Sequence, residues 1–298
     1  MYDEVARLCS EFAQDVMMTE GDLEWQDMGD EDHQVHALVT RHRSFQKVLL
    51  CITGKGKVGA GIFSRRHLMT DGIEISTALP FVREARKRNM DVVLLDPNRE
   101  GAQKAMKVVQ KSLERLFLNH HHHHPATSSR EDVYILAHSM AGSQIVRFLH
   151  DKTKTTHQYS NDGETGQQQQ THPHSTTQAG FGFLNQIKAI AFTDSNHNVN
   201  WTKKNPPVTN LLVGPSSLYI KSHKVHDDAK RLGELHHDCD FWKHRFGSIK
   251  TIWAGTMEHA LTNYTGMSYI WDHFDNFLDD NNNNNNIHDD NSKGKNGQ

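Results

Sequence analysis

The stretch Val133-Tyr-Ile-Leu-Ala-His-Ser139-Met-Ala-Gly142 constrains the fold of this chain more than any other. The residues before His138 are an unbroken apolar or aromatic run, which is typical of a strand buried on both faces. The residues after Gly142 repeat apolar side chains at helical spacing. The sequence therefore predicts that Ser139 lies at a tight turn from a strand into a helix.

A serine at such a turn is typical of a nucleophile elbow, where the hydroxyl is exposed and faces the positive end of the helix. The usual spacing, G-x-S-x-G, has small residues two before and two after the serine, because the two backbones pass close together. Ala137 and Ala141 occupy those positions here, and Gly142 follows. The alternative is an ordinary turn in which Ser139 only caps the helix.

The chain has 298 residues, and we expect one α/β domain over residues 1–278. Polar low-complexity insertions are predicted at 119–130 and 151–180, and a disordered Asn-rich tail at 279–298. The histidine run inside the first insertion is interpreted as a loop expansion rather than a metal site. Residues 1–46 are predicted to form an amphipathic helix followed by a charged irregular segment.

Composition excludes several classes of function. A formal net charge of −3 gives no overall attraction to nucleic acid or to a membrane surface. The cysteines are widely spaced, so neither a disulfide framework nor a zinc site is predicted. No secretory signal and no apolar run of about 18 residues is found, so we expect no membrane association. No P-loop or complete G-x-G-x-x-G motif is present, and no cofactor or metal is predicted.

A glycine-rich loop follows the first strongly apolar strand, at Gly54-Lys55-Gly56. Such a loop can bring backbone N–H groups to an oxyanion. If the elbow is real, the amides of Lys55 and Met140 are the expected oxyanion donors. A glycine-rich turn without a chemical role is the alternative.

Strands alternate with helices along the chain, which predicts a mostly parallel sheet with helices on both faces. Ser139, Asp194 and His259 each follow a predicted strand, so we expect them at one rim of the sheet, in the chain order of α/β-hydrolases. A histidine is needed to take the serine proton, and an acid to orient and stabilise that histidine. His197 is the alternative base and Glu258 the alternative acid; each residue could also merely cap a strand or helix end.

Three strings carry a family resemblance. They are A-H-S-x-x-G at 137–142, T-D-S-x-H-N at 193–198 and A-G-T-x-x-H-x-L-T at 254–262. Together they resemble the Argonaute-binding-protein-two (Arb2-like) domain, which is shared by the cotranscriptional regulators of the "family with sequence similarity 172" (FAM172) group. The resemblance covers about residues 1–278 apart from the polar insertions, and T-D-S-x-H-N is its most specific part.

The resemblance implies an α/β-hydrolase-like fold and a nuclear role, with a cytoplasmic pool also allowed. That role is in small-RNA-directed heterochromatin formation or cotranscriptional regulation, through contacts with Argonaute and chromatin-associated proteins. Ser139, Asp194 and His259 carry over, so an active serine hydrolase is the alternative function. Two departures are T-G-K-G at 53–56, where relatives resemble H-G-S-G, and Met257, where relatives tend to show Asp.

A weaker hypothesis is direct binding of small RNA. It rests on the basic residues near the glycine-rich loop and on the next predicted helix, namely Lys55, Lys57, Arg65, Arg66 and the cluster Arg83–Arg88. A charge run of this kind is more often a solvated helix face, so the hypothesis ranks below the other two.

Overall fold

A computed structural model describes residues 1–28, 35–118, 131–158, 182–222 and 240–278. Strands in these ranges form one eight-stranded sheet. In chain order they are β1 (Leu23–Asp27), β2 (His36–Thr40), β3 (Lys47–Ile52), β4 (Asp91–Leu95), β5 (Asp132–His138), β6 (Ile187–Thr193), β7 (Ser217–Lys221) and β8 (Lys250–Trp253). Their order across the sheet is β1-β2-β4-β3-β5-β6-β7-β8.

The sheet is antiparallel at one edge and parallel elsewhere. β2 pairs antiparallel with both β1 and β4, and every pairing from β4 across to β8 is parallel. The central strands are buried along almost their whole length, which explains why their sequences are apolar rather than alternating. The expected mostly parallel sheet is confirmed.

Helices cover both faces of the sheet, as expected. In chain order they are α1 (Tyr2–Gly21), α2 (Arg65–Thr70), α3 (Ile73–Ser76), α4 (Leu79–Lys87), α5 (Ala105–Leu118), α6 (Met140–Gln158), α7 (Pro206–Val213), α8 (Asp240–Phe246), α9 (Thr262–Thr265) and α10 (Met267–Leu278). Apolar side chains of α5, α6, α7 and α8 pack on one face, and those of α1, α4 and α10 pack on the other. Strands β3, β4, β5 and β6 contribute alternate residues to the two cores.

The structure differs from the prediction at three places. The segment before Phe45 is not irregular, because it contains β1 and β2. The sequence predicts a turn at Pro206-Pro207 and an irregular or helical segment from Tyr219, whereas the structure has α7 and β7 there. α6 continues to Gln158, into the segment predicted as an insertion at 151–180. The predicted insertion 119–130, the rest of the second insertion and the tail 279–298 lie outside the described residues.

Parallel pairing sets the position of the candidate site. The carboxyl ends of β3, β5, β6, β7 and β8 meet at one edge, because all five strands run in the same direction. Loops that follow these strands therefore lie side by side, at the rim where ligands bind in open α/β sheets.

Candidate active site

Ser139 lies on the sharp turn between β5 and α6. Its φ is 58°, in the left-handed region that a non-glycine residue adopts only under local constraint. The strand ends at His138 and the helix begins at Met140, so the turn consists of the serine alone. Ala137 and Ala141 are fully buried at this crossing. The geometry is that of a nucleophile elbow.

The loop after β6 holds this elbow on both sides. The Ser139 amide donates to the carbonyl oxygen of Thr193 at 2.9 Å, and the Asn196 amide donates to the Ser139 carbonyl oxygen at 3.3 Å. Gly142 allows the approach, because a Cβ there would lie 1.9 Å from the Ser195 hydroxyl oxygen. The strained turn is thus fixed by bonds from the neighbouring strand-end loop.

Asp194 and His259 are hydrogen-bonded to each other. Asp194 follows β6 with a φ of 42°, and its Oδ2 accepts from the Nδ1 of His259. The same oxygen accepts from the Ser222 hydroxyl at 2.6 Å. The Lys221 ammonium lies 3.8 Å from the other carboxylate oxygen. An aspartate on Nδ1 leaves Nε2 as the working nitrogen of the imidazole.

The environment keeps Asp194 ionised. Burial alone would raise the pKa of this carboxyl, but the hydrogen bonds from His259 and Ser222 and the charges of His259 and Lys221 outweigh it. The net result is a pKa below the ordinary aspartate value. Asp194 can therefore stabilise an imidazolium without taking its proton.

Ser139 and His259 lie on the same rim, and His138 is the residue that links them. His138, next to Ser139 in the chain, has its ring centroid 4.7 Å from that of His259. Among the described residues, the Ser139 hydroxyl has no hydrogen-bond partner, and His259 bonds through Nδ1 to Asp194. Nucleophile–base hydrogen bonds are often loose without substrate and tighten when it binds.

The glycine-rich loop packs directly on the elbow. A Cβ on Gly54 would lie 2.9 Å from the Cβ of Ser139, so only glycine allows this approach. Asn98 braces the loop: its Nδ2 donates to the carbonyl oxygens of Gly54 and Val58, each at 2.9 Å, and its Oδ1 accepts from Gly56 at 3.0 Å.

The two residues predicted as oxyanion donors flank the serine. Lys55 is exposed in the braced loop, directly after the glycine that contacts Ser139. Met140 is the first residue of α6, and the first amides of a helix have no acceptor within it. Both residues therefore lie beside Ser139, and their role as oxyanion donors stays a prediction.

His197 is buried inside the protein rather than at the rim. It is fully buried, stacks on Phe192 at 4.1 Å between ring centroids, and touches Tyr219 and Phe246 edge-on. Its Nδ1 bonds to the Ser195 hydroxyl at 2.9 Å. Burial lowers the pKa of His197 to about 3. These surroundings fit a structural residue, and His259 is the base that the geometry favours.

Glu258 turns away from the pair. Its side chain is 60% exposed, and its carboxylate lies 3.9 Å from the Nε2 of His67 on α2. Since Asp194 already occupies the Nδ1 of His259, the geometry favours Asp194 as the acid.

Sequence reasoning missed three residues of the site: Ser222, Lys221 and Asn98. Lys221 is the last residue of β7 and Ser222 comes directly after it. This strand was not predicted, although S-L-Y-I-K has the apolar and β-branched content of a strand. Asn98 is the third residue after β4, in a Pro-Asn turn, and no signal in the sequence distinguishes it from an ordinary turn residue.

Most of the basic residues singled out for RNA binding are paired with carboxylates. Arg83 bonds to Glu20 and Glu74, and Arg88 bonds to Glu84 and Asp275. Lys57 and Arg65 both contact Asp3. The cluster is therefore closer to a neutral ion-pair network than to a free cationic patch.

Neither a metal site nor a membrane-spanning helix is found in the part of the chain that the structure describes. No group of three or more His, Cys, Asp or Glu side chains there is arranged to hold a metal ion. No helix among these residues has the length and apolarity needed to cross a bilayer. The histidine run lies outside the described residues.

The fold and the site define an α/β-hydrolase-fold protein, with a serine elbow after β5, an aspartate after β6 and a histidine after β8. Solved structures similar to this chain include an esterase from Pyrobaculum calidifontis, at 10% identity over 94% of each chain with a TM-score of 0.43. Another is a variant of a haloalkane dehalogenase from Agrobacterium tumefaciens, at 8% identity over 88% of this chain and 99% of the other, with a TM-score of 0.44. Likenesses at this level carry no argument about substrate.

No family model matches the chain. It is similar to a FAM172 family protein homolog from Caenorhabditis elegans, with 21% identity over 251 residues. That alignment covers 81% of this chain and 65% of the relative, so the chain spans less than two thirds of that protein. This similarity agrees with the resemblance to the FAM172 group that the sequence strings at 137–142, 193–198 and 254–262 indicate.

Proposed function

We propose that this chain is an Arb2-like protein of the FAM172 kind that works in the nucleus. In this proposal it acts in small-RNA-directed heterochromatin formation and cotranscriptional regulation, through contacts with Argonaute and chromatin-associated proteins. The observation that carries the proposal is the similarity to a FAM172 homolog over 81% of the chain. The hydrolase scaffold then serves as a rigid platform for partner proteins.

Affinity purification of the tagged chain from nuclear extract tests this proposal. We expect an Argonaute protein to be enriched over a tag-only control. Ser139→Ala should recover the same amount, because the proposal relies on contacts and not on turnover. The proposal would be contradicted if repeated purifications recovered no Argonaute or chromatin protein. It would also be contradicted if the tagged chain were confined to the cytoplasm.

Direct RNA binding is a separate part of the proposal with weaker support, because the ion pairs of the basic cluster reduce its free charge. RNA binding through contacts between basic side chains and phosphates would weaken steeply as salt is added. Electrophoretic mobility shifts with a small RNA at low salt test it, and the absence of any shift there would remove RNA from the list of direct partners.

A second candidate, a serine hydrolase acting on an ester or similar acyl group, is favoured by the hydrogen bond between Asp194 and His259 beside the Ser139 elbow. In this candidate the Ser139 oxygen attacks the acyl carbon while Nε2 of His259 takes the hydroxyl proton. The backbone amides of Lys55 and Met140 stabilise the resulting oxyanion. His259 then protonates the leaving group, and water releases the acyl group by the same steps in reverse.

Hydrolysis of a short-chain aryl ester tests this candidate. The wild type should turn over the ester, and Ser139→Ala should lose that turnover. Ser10→Ala, which removes a hydroxyl bonded to the Ala6 carbonyl oxygen within α1, should keep it. Turnover by folded wild type no faster than by Ser139→Ala would remove the enzyme candidate and leave the scaffold proposal standing.

A further inference from the structure

His259 needs more than its hydrogen bond to be held in place. It begins a short 3-10 turn, His259–Leu261, and its side chain is 51% exposed. Its bond to Asp194 fixes one edge of the ring. A single bond at one edge leaves the ring free to tilt about that bond, and a tilt moves Nε2 away from the serine.

The ring of His138 lies against His259. The two centroids are 4.7 Å apart and the ring planes are inclined by 37°. His138 is only 2% exposed, and the ring of Phe63 contacts it edge-on at 5.5 Å. A buried, fully surrounded ring is a firm support for an exposed one.

Hydrogen bonds fix the ring of His138 as well. Its Nδ1 lies 3.2 Å from the Thr193 hydroxyl oxygen, and that hydroxyl donates to Oδ1 of Asn263 at 2.7 Å. The chain of bonds from Asn263 through Thr193 to His138 thus sets the angle of the His138 ring.

His138 also stays uncharged beside a base that becomes charged. Burial, and after it repulsion from a charged His259, lower the pKa of His138 to about 3, against a smaller opposing effect of Asp194. At neutral pH the imidazolium of His259 therefore meets a neutral ring and not a second cation.

We propose that His138 is a positioning residue, whose buried ring holds the imidazole of His259 in line with Asp194 and directed at Ser139. The catalytic value of this positioning rests on the serine-hydrolase candidate. The positioning itself rests on the contact between the two histidine rings. His138 itself transfers no proton; it limits the motion of the group that does.

The comparison of His138→Phe with His138→Ala isolates the ring. Both variants lose the bond to Thr193, and only the first keeps a ring against His259. With a fluorophosphonate probe, His138→Ala should lower the maximal rate of inactivation about 10- to 100-fold with a nearly unchanged half-saturating probe concentration. His138→Phe should stay within about 3-fold of wild type in both quantities. Equal loss in the two variants would overturn the proposal.

Proton NMR in water gives a readout that does not depend on turnover. The Nδ1–H of a histidine bonded to a carboxylate gives a sharp downfield signal, assigned here by its loss in His259→Gln. We expect this signal to persist in His138→Phe and to broaden or vanish in His138→Ala. If wild type is not labelled by the probe yet the signal behaves this way, the enzyme candidate fails and the positioning inference stands.

Phe63→Leu is the matched control for lost packing, because Phe63 contacts His138 and not His259. It should lower the midpoint of thermal unfolding while leaving the downfield signal in place. A signal that persists in His138→Ala, or one lost equally in Phe63→Leu, would show that the ring of His138 does not hold His259.

Discussion

Replacing His197 with phenylalanine should reduce the amount of unfolding free energy that the protein loses between pH 8 and pH 5. The native imidazole is enclosed by Phe192, Tyr219 and Phe246, and its pKa is lowered by burial, and next by the charge of Arg245, to about 3 from an ordinary 6.5. In the unfolded chain the same group is free to take up a proton. A pKa lowered on folding gives stability that is complete above pH 6.5 and lost as pH falls towards 3.

The magnitude follows from proton linkage. At pH 5 the unfolded imidazole is about 97% protonated and the native one almost entirely neutral, so unfolding takes up about one proton. This single histidine therefore makes the protein about 2 kcal/mol less stable at pH 5 than at pH 8. His138 and His273, whose pKa values burial also lowers, titrate in both proteins and cancel in the comparison.

Urea unfolding at pH 5 and pH 8 measures the effect. The substitution changes the free energy of unfolding at pH 8 by some amount, which serves as the reference. From pH 8 to pH 5, the free energy of unfolding of His197→Phe should then fall by about 2 kcal/mol less than that of wild type. Phe192→Leu is the control, since it removes the stacked ring and keeps the titrating group. Equal pH dependence in wild type and His197→Phe would refute the assignment of His197 as a neutral core residue.

Three further results are expected. Gly142→Ala should destabilise the protein by about 1–3 kcal/mol in urea unfolding, because the new methyl overlaps the Ser195 hydroxyl; a loss below about 0.5 kcal/mol would contradict the close approach. Asp194→Asn should lower ester turnover by about 10³- to 10⁴-fold at unchanged fold, since the amide favours the wrong tautomer of His259; a loss under about 10-fold would remove it as the acid. Asn98→Ala should slow phosphonylation by about 10²-fold by freeing the glycine-rich loop, and an unchanged rate would separate that loop from the oxyanion.

The central part of the fold can be predicted from the sequence because its signals are strong and local. Strands β3, β4, β5 and β6 are near-continuous apolar runs, since both faces are covered by helices. The edge strand β1 was missed because its residues mix polar and apolar types, as in L-E-W-Q-D. β2 was missed because its apolar run, A-L-V, is short, although four of its five residues are buried. α6 continues past His150 through K-T-K-T-T, whose threonines favour a loop when taken alone.

The order of the site residues can be predicted, while their surroundings cannot. Ser139, Asp194 and His259 each follow a strand, and parallel pairing alone brings such positions to one rim. His197 shows where this reasoning stops: a polar residue four places beyond a strand end can fold back into the core when the loop turns inward. Loop direction depends on long-range contacts that no local pattern records.

The most direct test of the account is peptide mass mapping of the folded protein after treatment with a fluorophosphonate. We expect one phosphonyl group, attached to Ser139, with the labelling lost in His259→Gln and sharply reduced in Asp194→Asn. A folded wild type that remains unmodified, or that carries the group on another residue, would contradict the convergence of the three side chains into a working site.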